Sequence, residues 1–144
     1  SSDSPLDFDV ELTKKQSQEN PVYYVQYAHA RICSVFAKAK EIGIKLGDFD
    51  VDFSLLREKE EIKLLKFIDS FDDVLEASAF QLAPYKVTYY LIDLASAFHD
   101  YYTKFRIVQD DRELMLARLA LCEGVKRVLT QGLELLGVSA PEKM

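Results

Sequence analysis

Apolar residues recur along most of the chain with the spacing of one helix face. Successive residues of an α-helix lie about 100° apart around its axis, so residues three, four and seven positions apart share a side. Between residues 21 and 41 one side carries Val22, Val25, His29, Ile32, Phe36 and Ala39. The pattern predicts an amphipathic helix with this stripe in the core.

Two later stretches carry similar stripes. From Tyr85 onward the core positions are Val87, Leu91, Leu94, Phe98, Tyr101 and Phe105, with Ala95, His99, Tyr102 and Arg106 along the edge. In the last stretch they are Leu114, Leu121, Val125, Val128, Gly132 and Leu136. Gly124 and Gly132 cost helix propensity, about 1 kcal/mol each relative to Ala, so we expect both to mark close packing against another helix.

Capping residues and glycines set the expected ends of these helices. Asn20 is a suitable N-cap, Pro21 suits the first helical position, and Gly43 ends the first long helix. Pro84 begins a helix that we expect to reach Val108. Asp110 or Asp111 caps the last helix, which runs to Leu136 and stops at Gly137.

Shorter helices are predicted between these long ones, over about 54–70 and 74–82, and a helix-like stretch over about 10–17. Asp52 or Ser54 would begin the first of them, and Asp72 or Asp73 would cap the second. No segment alternates convincingly between apolar and polar residues, so strands are not expected. The sequence therefore predicts an all-α fold, an antiparallel helical bundle.

The side of the first long helix opposite its core stripe has an unusual composition. It carries Tyr23, Tyr27, Ala30, Arg31, Ser34 and Lys38. Tyrosine rings beside an arginine are suited to stacking on unpaired bases and to contacting the adjacent phosphates. The alternative is that Tyr23 and Tyr27 pack against a second helix.

A similar pair occurs near the end of the helix that Pro84 begins. Tyr102 and Arg106 are four residues apart, so on a helix their side chains would share one patch. An edge tyrosine that closes the core, with the arginine lying over it, is an equally good interpretation.

Other charged residues have structural explanations. His29 lies in a core stripe and is expected to be a hydrogen-bonded structural residue. The run from Glu58 to Glu61, with Lys63, has mixed signs and is typical of a solvated helix face. Lys126 and Arg127 lie off the last core stripe and could add to a basic rim.

Composition limits the function classes without choosing among them. The chain has 144 residues, enough for one domain, and a net charge of −6. A generic nucleic-acid binder is basic, so composition alone favours a protein–protein role, and the distribution of charge has to decide. Cys33 and Cys122 have no CxxC spacing and are expected to be reduced. Without a membrane span or signal segment, a cytoplasmic protein is expected.

Catalytic and metal-binding patterns do not occur in the sequence. It has no Gly-rich phosphate loop, no GxSxG, no HExxH and no cysteine–histidine cluster at metal spacing. Nothing combines a nucleophile, a base and an orienting partner. We therefore expect no catalytic residue, no cofactor and no metal in this chain.

Several segments nevertheless resemble one family. The segment from Ser4 to Asp9, followed by Glu19–Arg31, resembles the junction between the catalytic and anticodon-binding domains of bacterial arginyl-tRNA synthetases, which are class I enzymes. Residues 117–121, 132–138 and 140–144 are similar to the end of their DALR anticodon-binding domain. The match is looser over 97–102 and 106–108 and weakest over about 38–84.

The resemblance implies a bundle that binds the anticodon arm of the arginine tRNA. By analogy, Tyr27, Arg31, Tyr102 and Met144 would contact bases of the anticodon loop. Arg106 would contact a phosphate, an assignment that rests on its position beside Tyr102. A terminal Met would offer a flexible thioether and a free carboxylate to a splayed base.

The resemblance also implies a longer parent protein. The HIGH and KMSK type sequences, with which this class binds ATP, do not occur here. We expect residues 1–19 to connect from the end of the catalytic domain and residues 20–144 to form the DALR domain. The parent would join arginine to its tRNA using ATP with Mg, and within it this domain would contact the catalytic domain in cis. This piece alone would be inactive and monomeric. The alternative function is a helical protein–protein interaction module without RNA binding.

Overall fold

The computed structural model of the chain describes residues 20–45, 47 and 50–144. The predicted stretch over 10–17 and the connector over 1–19 therefore lie outside the described residues.

The first long helix forms where the sequence predicts it. Helix α1 spans Pro21–Glu41 and is capped by Asn20, whose side chain accepts a hydrogen bond from the Val22 amide at 2.9 Å. Gly43 follows the helix with a φ of +85°, a left-handed conformation that favours glycine.

The prediction of two helices over 54–70 and 74–82 is wrong. Asp52 caps only a short 3-10 helix, Phe53–Leu55, and a single helix, α2, then spans Lys59–Phe80. Asp72 and Asp73 are exposed residues within α2 rather than caps. The helix continues past them because Leu64 and Phe71 are buried, two turns apart on one face.

Helix α3 spans Tyr85–Lys104, four residues shorter than predicted at its end. Its start agrees with the sequence: Pro84 immediately precedes it. Phe105 is extended, with φ −127° and ψ 143°, so the chain leaves the helix before Val108. Ile107 is thereby buried beyond the helix end.

Helix α4 spans Arg112–Leu135 and is capped by Asp111, whose carboxylate accepts from the Leu114 amide at 3.2 Å. Its two glycines do mark close packing, although side chains and not backbone occupy the space. A Cβ at Gly132 would lie 2.5 Å from Leu91 Cδ2, and one at Gly124 would lie 2.9 Å from Ile68 Cδ1.

The helices form a bundle, and the described part of the chain contains no strand, which confirms the all-α prediction. Helices α3 and α4 each pack against every other helix, whereas α1 and α2 do not pack against each other. The core stripes are largely as predicted, although Phe36, Phe105, Leu114 and Leu136 are only partly buried. None of the described helices is long and apolar enough to cross a membrane.

Candidate nucleic-acid interface

Arg31 lies between two tyrosine rings from different helices. Its guanidinium carbon is 4.7 Å from the centroid of the Tyr27 ring on α1 and 4.5 Å from that of Tyr102 on α3. Tyr27 and Arg31 share a face of α1 because they are four residues apart. Both contacts are within the range of cation–π attraction, so the three side chains form one unit.

His99 joins this unit from the previous turn of α3. Arg31 Nη1 donates a hydrogen bond to His99 Nδ1 at 3.0 Å, and His99 Nε2 lies 3.4 Å from the Tyr24 carbonyl oxygen. The imidazole is 4.6 Å from the Tyr24 ring and 5.5 Å from the Tyr27 ring, centroid to centroid. We call Tyr24, Tyr27, Arg31, His99 and Tyr102 the Arg31 cluster.

A groove of about 610 Å³ lies beside the cluster. It is lined by Val35, Lys38 and the segment from Tyr102 to Val108. Three of these residues are cations: Lys38, Lys104 and Arg106. Lys104 forms ion pairs with Glu60 at 3.3 Å and with Asp100 at 3.2 Å, whereas Lys38 and Arg106 are exposed. The groove therefore offers positive charge next to aromatic rings despite the acidic whole chain.

The segment that carries Arg106 is held from the interior by Arg118 of α4. Arg118 Nη1 donates to the Arg106 carbonyl oxygen at 3.1 Å, and the Arg118 guanidinium carbon lies 5.2 Å from the Phe105 ring centroid. The sequence suggested that Tyr102 and Arg106 are i, i+4 neighbours on one helix. They are not, because α3 ends at Lys104. The two residues still line the same groove.

Arg118 is paired with Glu61, which is 0% exposed. Glu61 Oε2 accepts from Arg118 Nε at 2.9 Å and from the Tyr101 hydroxyl at 2.7 Å, while Glu61 Oε1 accepts from the Glu58 amide at 3.1 Å. The expectation that residues 58–61 form a solvated face is therefore wrong at Glu61. Burial raises the pKa of Tyr101 well above its usual value, and the bond to Glu61 raises it further, so the hydroxyl remains a donor.

The carboxy-terminal tail lies along the side of α1 opposite the Arg31 cluster. Gln26 Nε2 donates to the Ser139 carbonyl oxygen at 2.9 Å, and His29 Nδ1 donates to that of Pro141 at 2.9 Å. His29 is 3% exposed, which confirms that it is a hydrogen-bonded structural residue. Met144 ends this tail and is 43% exposed.

The structure thus brings together three of the five site residues predicted from sequence. Tyr27 and Tyr102 each contact Arg31, and Arg106 lies in the adjoining groove. Met144 lies on the tail and is not part of the Arg31 cluster. Of the two cations expected at a basic rim, Arg127 is exposed, whereas Lys126 Nζ lies 5.5 Å from the Phe36 ring centroid.

Sequence reasoning missed two members of the cluster, Tyr24 and His99. One signal was present: Tyr24, Tyr27 and Arg31 have i, i+3, i+7 spacing, as do His99, Tyr102 and Arg106. Two helices with the same polar aromatic spacing indicate faces that can meet. Which rings meet depends on how α1 crosses α3, and the sequence does not give that crossing.

Comparison with known proteins gives a consistent result. A family model described as the DALR anticodon binding domain matches residues 25–144. The arginine–tRNA ligase of Geobacter metallireducens is 55% identical over 143 residues, which cover 99% of this chain and 25% of that protein. The arginine–tRNA ligase of Caldanaerobacter subterraneus is 48% identical over 145 residues, covering 100% of this chain and 26% of that protein.

A solved structure agrees with these sequence matches. The arginyl-tRNA synthetase of Thermus thermophilus superposes with a TM-score of 0.72 at 30% sequence identity. The superposition covers 84% of this chain and 21% of that one. The chain accordingly spans about a quarter of the length of the curated relatives it matches.

Proposed function

The chain belongs to the DALR anticodon binding domain family, and we propose that it binds the anticodon arm of an arginine tRNA through the Arg31 cluster and the adjoining groove. The observation that carries this proposal is the Arg31 guanidinium between Tyr27 and Tyr102, beside a groove that contains Lys38 and Arg106. Aromatic rings stack on unpaired bases, and cations neutralise the phosphates between them. Both features occur at one end of the bundle.

Within this proposal each side chain has a distinct role. Arg31 covers one face of each tyrosine ring, so a loop base would stack on the other face of Tyr27 or Tyr102. The edge of the guanidinium can donate hydrogen bonds to a base edge or a phosphate. Lys38 and Arg106 would contact phosphates along the groove. Met144 would reach a loop base only from the tail, as a separate contact.

We also propose the context in which the domain acts. The parent would be an arginine–tRNA ligase that uses ATP with Mg in a catalytic domain outside this chain. Residues 1–19 would connect to that domain and residues 20–144 would form the anticodon-binding unit. The fragment itself would lack aminoacylation activity and would be monomeric, and the parent would act in the cytoplasm. The alternative of a protein-binding module without RNA binding has no support from the relatives, which are tRNA ligases.

Binding of a fluorescently labelled arginine anticodon stem-loop by the 144-residue chain tests the proposal. We expect saturable binding that weakens as salt is raised, because phosphate contacts release counterions. Changing the bases of the anticodon loop should weaken binding, whereas changing base pairs of the stem should not. Equal affinity for an unrelated stem-loop at every salt concentration would contradict the proposal.

A further inference from the structure

The two ring nitrogens of His99 face different partners, the Arg31 guanidinium and the Tyr24 carbonyl oxygen. An arginine carries only donors, so the Arg31 Nη1 that lies 3.0 Å from His99 Nδ1 must donate to it. Nδ1 is then unprotonated, and the ring proton is on Nε2, which faces the Tyr24 carbonyl oxygen at 3.4 Å. The geometry thus specifies one neutral tautomer of His99. His29 differs, because its Nδ1 faces a carbonyl oxygen and therefore carries a proton.

From this geometry we propose that His99 is a positioning residue for RNA binding, whose neutral ring holds the Arg31 guanidinium between Tyr27 and Tyr102 and releases it on protonation. The inference rests on the proposed function. Arg31 is the group that would touch RNA, and His99 would act through it.

The surroundings of His99 favour the neutral ring. Charged or titratable side chains face it from α1, namely Tyr24, Tyr27 and Arg31, and Tyr102 lies one turn further along its own helix. Burial lowers the pKa of His99 below its ordinary value of 6.5, and the nearby Arg31 lowers it further, against the opposing effect of the Tyr24 carbonyl.

Protonation of His99 would make its contact with Arg31 repulsive. An imidazolium has a proton on Nδ1, so the hydrogen bond from Arg31 would be replaced by two opposed donors that both carry positive charge. The guanidinium would move out from between the two rings, and both tyrosines would lose their shared neighbour. Because burial lowers the pKa of His99, this change would require a lower pH than the protonation of an ordinary histidine.

Two substitutions of His99 distinguish the effect of its hydrogen-bond acceptor from the effect of the space that its ring fills. His99→Asn retains an oxygen near the position of Nδ1 and cannot be protonated there, whereas His99→Leu fills space without an acceptor. At pH 7.5 we expect His99→Asn to bind the arginine anticodon stem-loop within about threefold of the parent chain, and His99→Leu to bind about tenfold more weakly. As the pH is lowered from 7.5 to 4.5, the affinity of the parent chain should fall more steeply than that of His99→Asn.

A double-mutant cycle with Arg31→Leu tests whether His99 acts through Arg31. Adding His99→Leu to Arg31→Leu should weaken binding no further, since the group that His99 positions is already gone. Fully additive losses, equal binding by His99→Leu and the parent, or parallel pH profiles for the parent and His99→Asn would each overturn the inference. If the parent chain itself fails to bind the stem-loop, the proposed function fails, and the inference that depends on it falls with it.

Discussion

Under the proposed function Arg31 would combine a structural and a recognition role. Its guanidinium contacts two aromatic rings and one imidazole, so its position is fixed without RNA. A side chain that is already ordered loses less conformational entropy on binding than a free surface arginine. We therefore expect Tyr27 and Tyr102 to matter twice, as stacking surfaces and as supports for Arg31.

The first prediction at the residue scale concerns Tyr102. Replacing it with alanine should weaken binding of the arginine anticodon stem-loop by roughly 1–3 kcal/mol, the usual contribution of one base–aromatic stack. Fluorescence anisotropy of a labelled stem-loop measures the effect. The matched control is Tyr85→Ala, because Tyr85 is an exposed tyrosine at the other end of the same helix. Equal losses for both variants would mean that the assigned face is wrong.

The second prediction concerns the two glycines of α4. A methyl group at Gly132 would collide with both terminal carbons of the fully buried Leu91, so Gly132→Ala should destabilise the fold by roughly 1–3 kcal/mol. Gly124→Ala meets only the end of the partly buried Ile68, and it gains helix propensity of up to about 1 kcal/mol. Urea unfolding should show a clear loss for Gly132→Ala and almost none for Gly124→Ala. The reverse order would contradict the packing described here.

At the scale of elements, α2 contributes the carboxylate that supports the groove from inside. Glu61 pairs with Arg118, and Arg118 in turn holds the carbonyl oxygen of Arg106. A buried ion pair costs desolvation of both ions, but removing one partner leaves the other charge uncompensated. The segment that lines the groove therefore depends on a residue that does not line it.

Glu61→Gln tests this dependence. The variant keeps the shape of the side chain but leaves Arg118 buried without its counter-ion, so we expect a loss of about 3–5 kcal/mol in the free energy of unfolding. Urea unfolding provides the measurement. The neighbouring Glu60→Gln is the control, because Glu60 pairs with the exposed Lys104 and loss of this pair should cost much less. If both variants unfold at the same urea concentration, the buried pair has no special role.

The sequence predicted helix ends well where a capping or breaking residue marks them, and poorly where contacts between distant residues determine them. Asn20, Pro21, Asp111 and Gly137 mark helix ends by their own backbone chemistry, and those ends are close to the prediction. The end of α3 was missed because no glycine or proline marks it.

The other errors have the same tertiary origin. The segment after Lys104 leaves the helix where Ile107 is buried and Arg118 binds the Arg106 carbonyl oxygen. Glu61 looked solvated because its partners, Tyr101 and Arg118, are distant in the sequence. Composition and helical spacing made Tyr27, Arg31 and Tyr102 candidates, and the family resemblance selected them. The contacts of His99 depend on how α1 crosses α3, which the sequence does not give.

At the scale of the whole molecule, a net charge of −6 coexists with a local cationic groove. Such a distribution gives weak attraction to nucleic acid in general, so under the proposed function affinity would come from specific contacts at the Arg31 cluster and the groove. At the other end, Phe80 and Leu82 in the α2–α3 turn are 90% and 89% exposed. The two ends are thus chemically distinct.

The central claim is that RNA binds at the Arg31 cluster and the adjoining groove. Amide chemical-shift mapping of the 144-residue chain with an arginine anticodon stem-loop tests it most directly. We predict that the largest shifts fall on Tyr27, Arg31, His99, Tyr102 and Arg106, with little change near Phe80 and Leu82. Largest shifts around Phe80 and Leu82, or an unperturbed cluster under saturating RNA, would contradict the account.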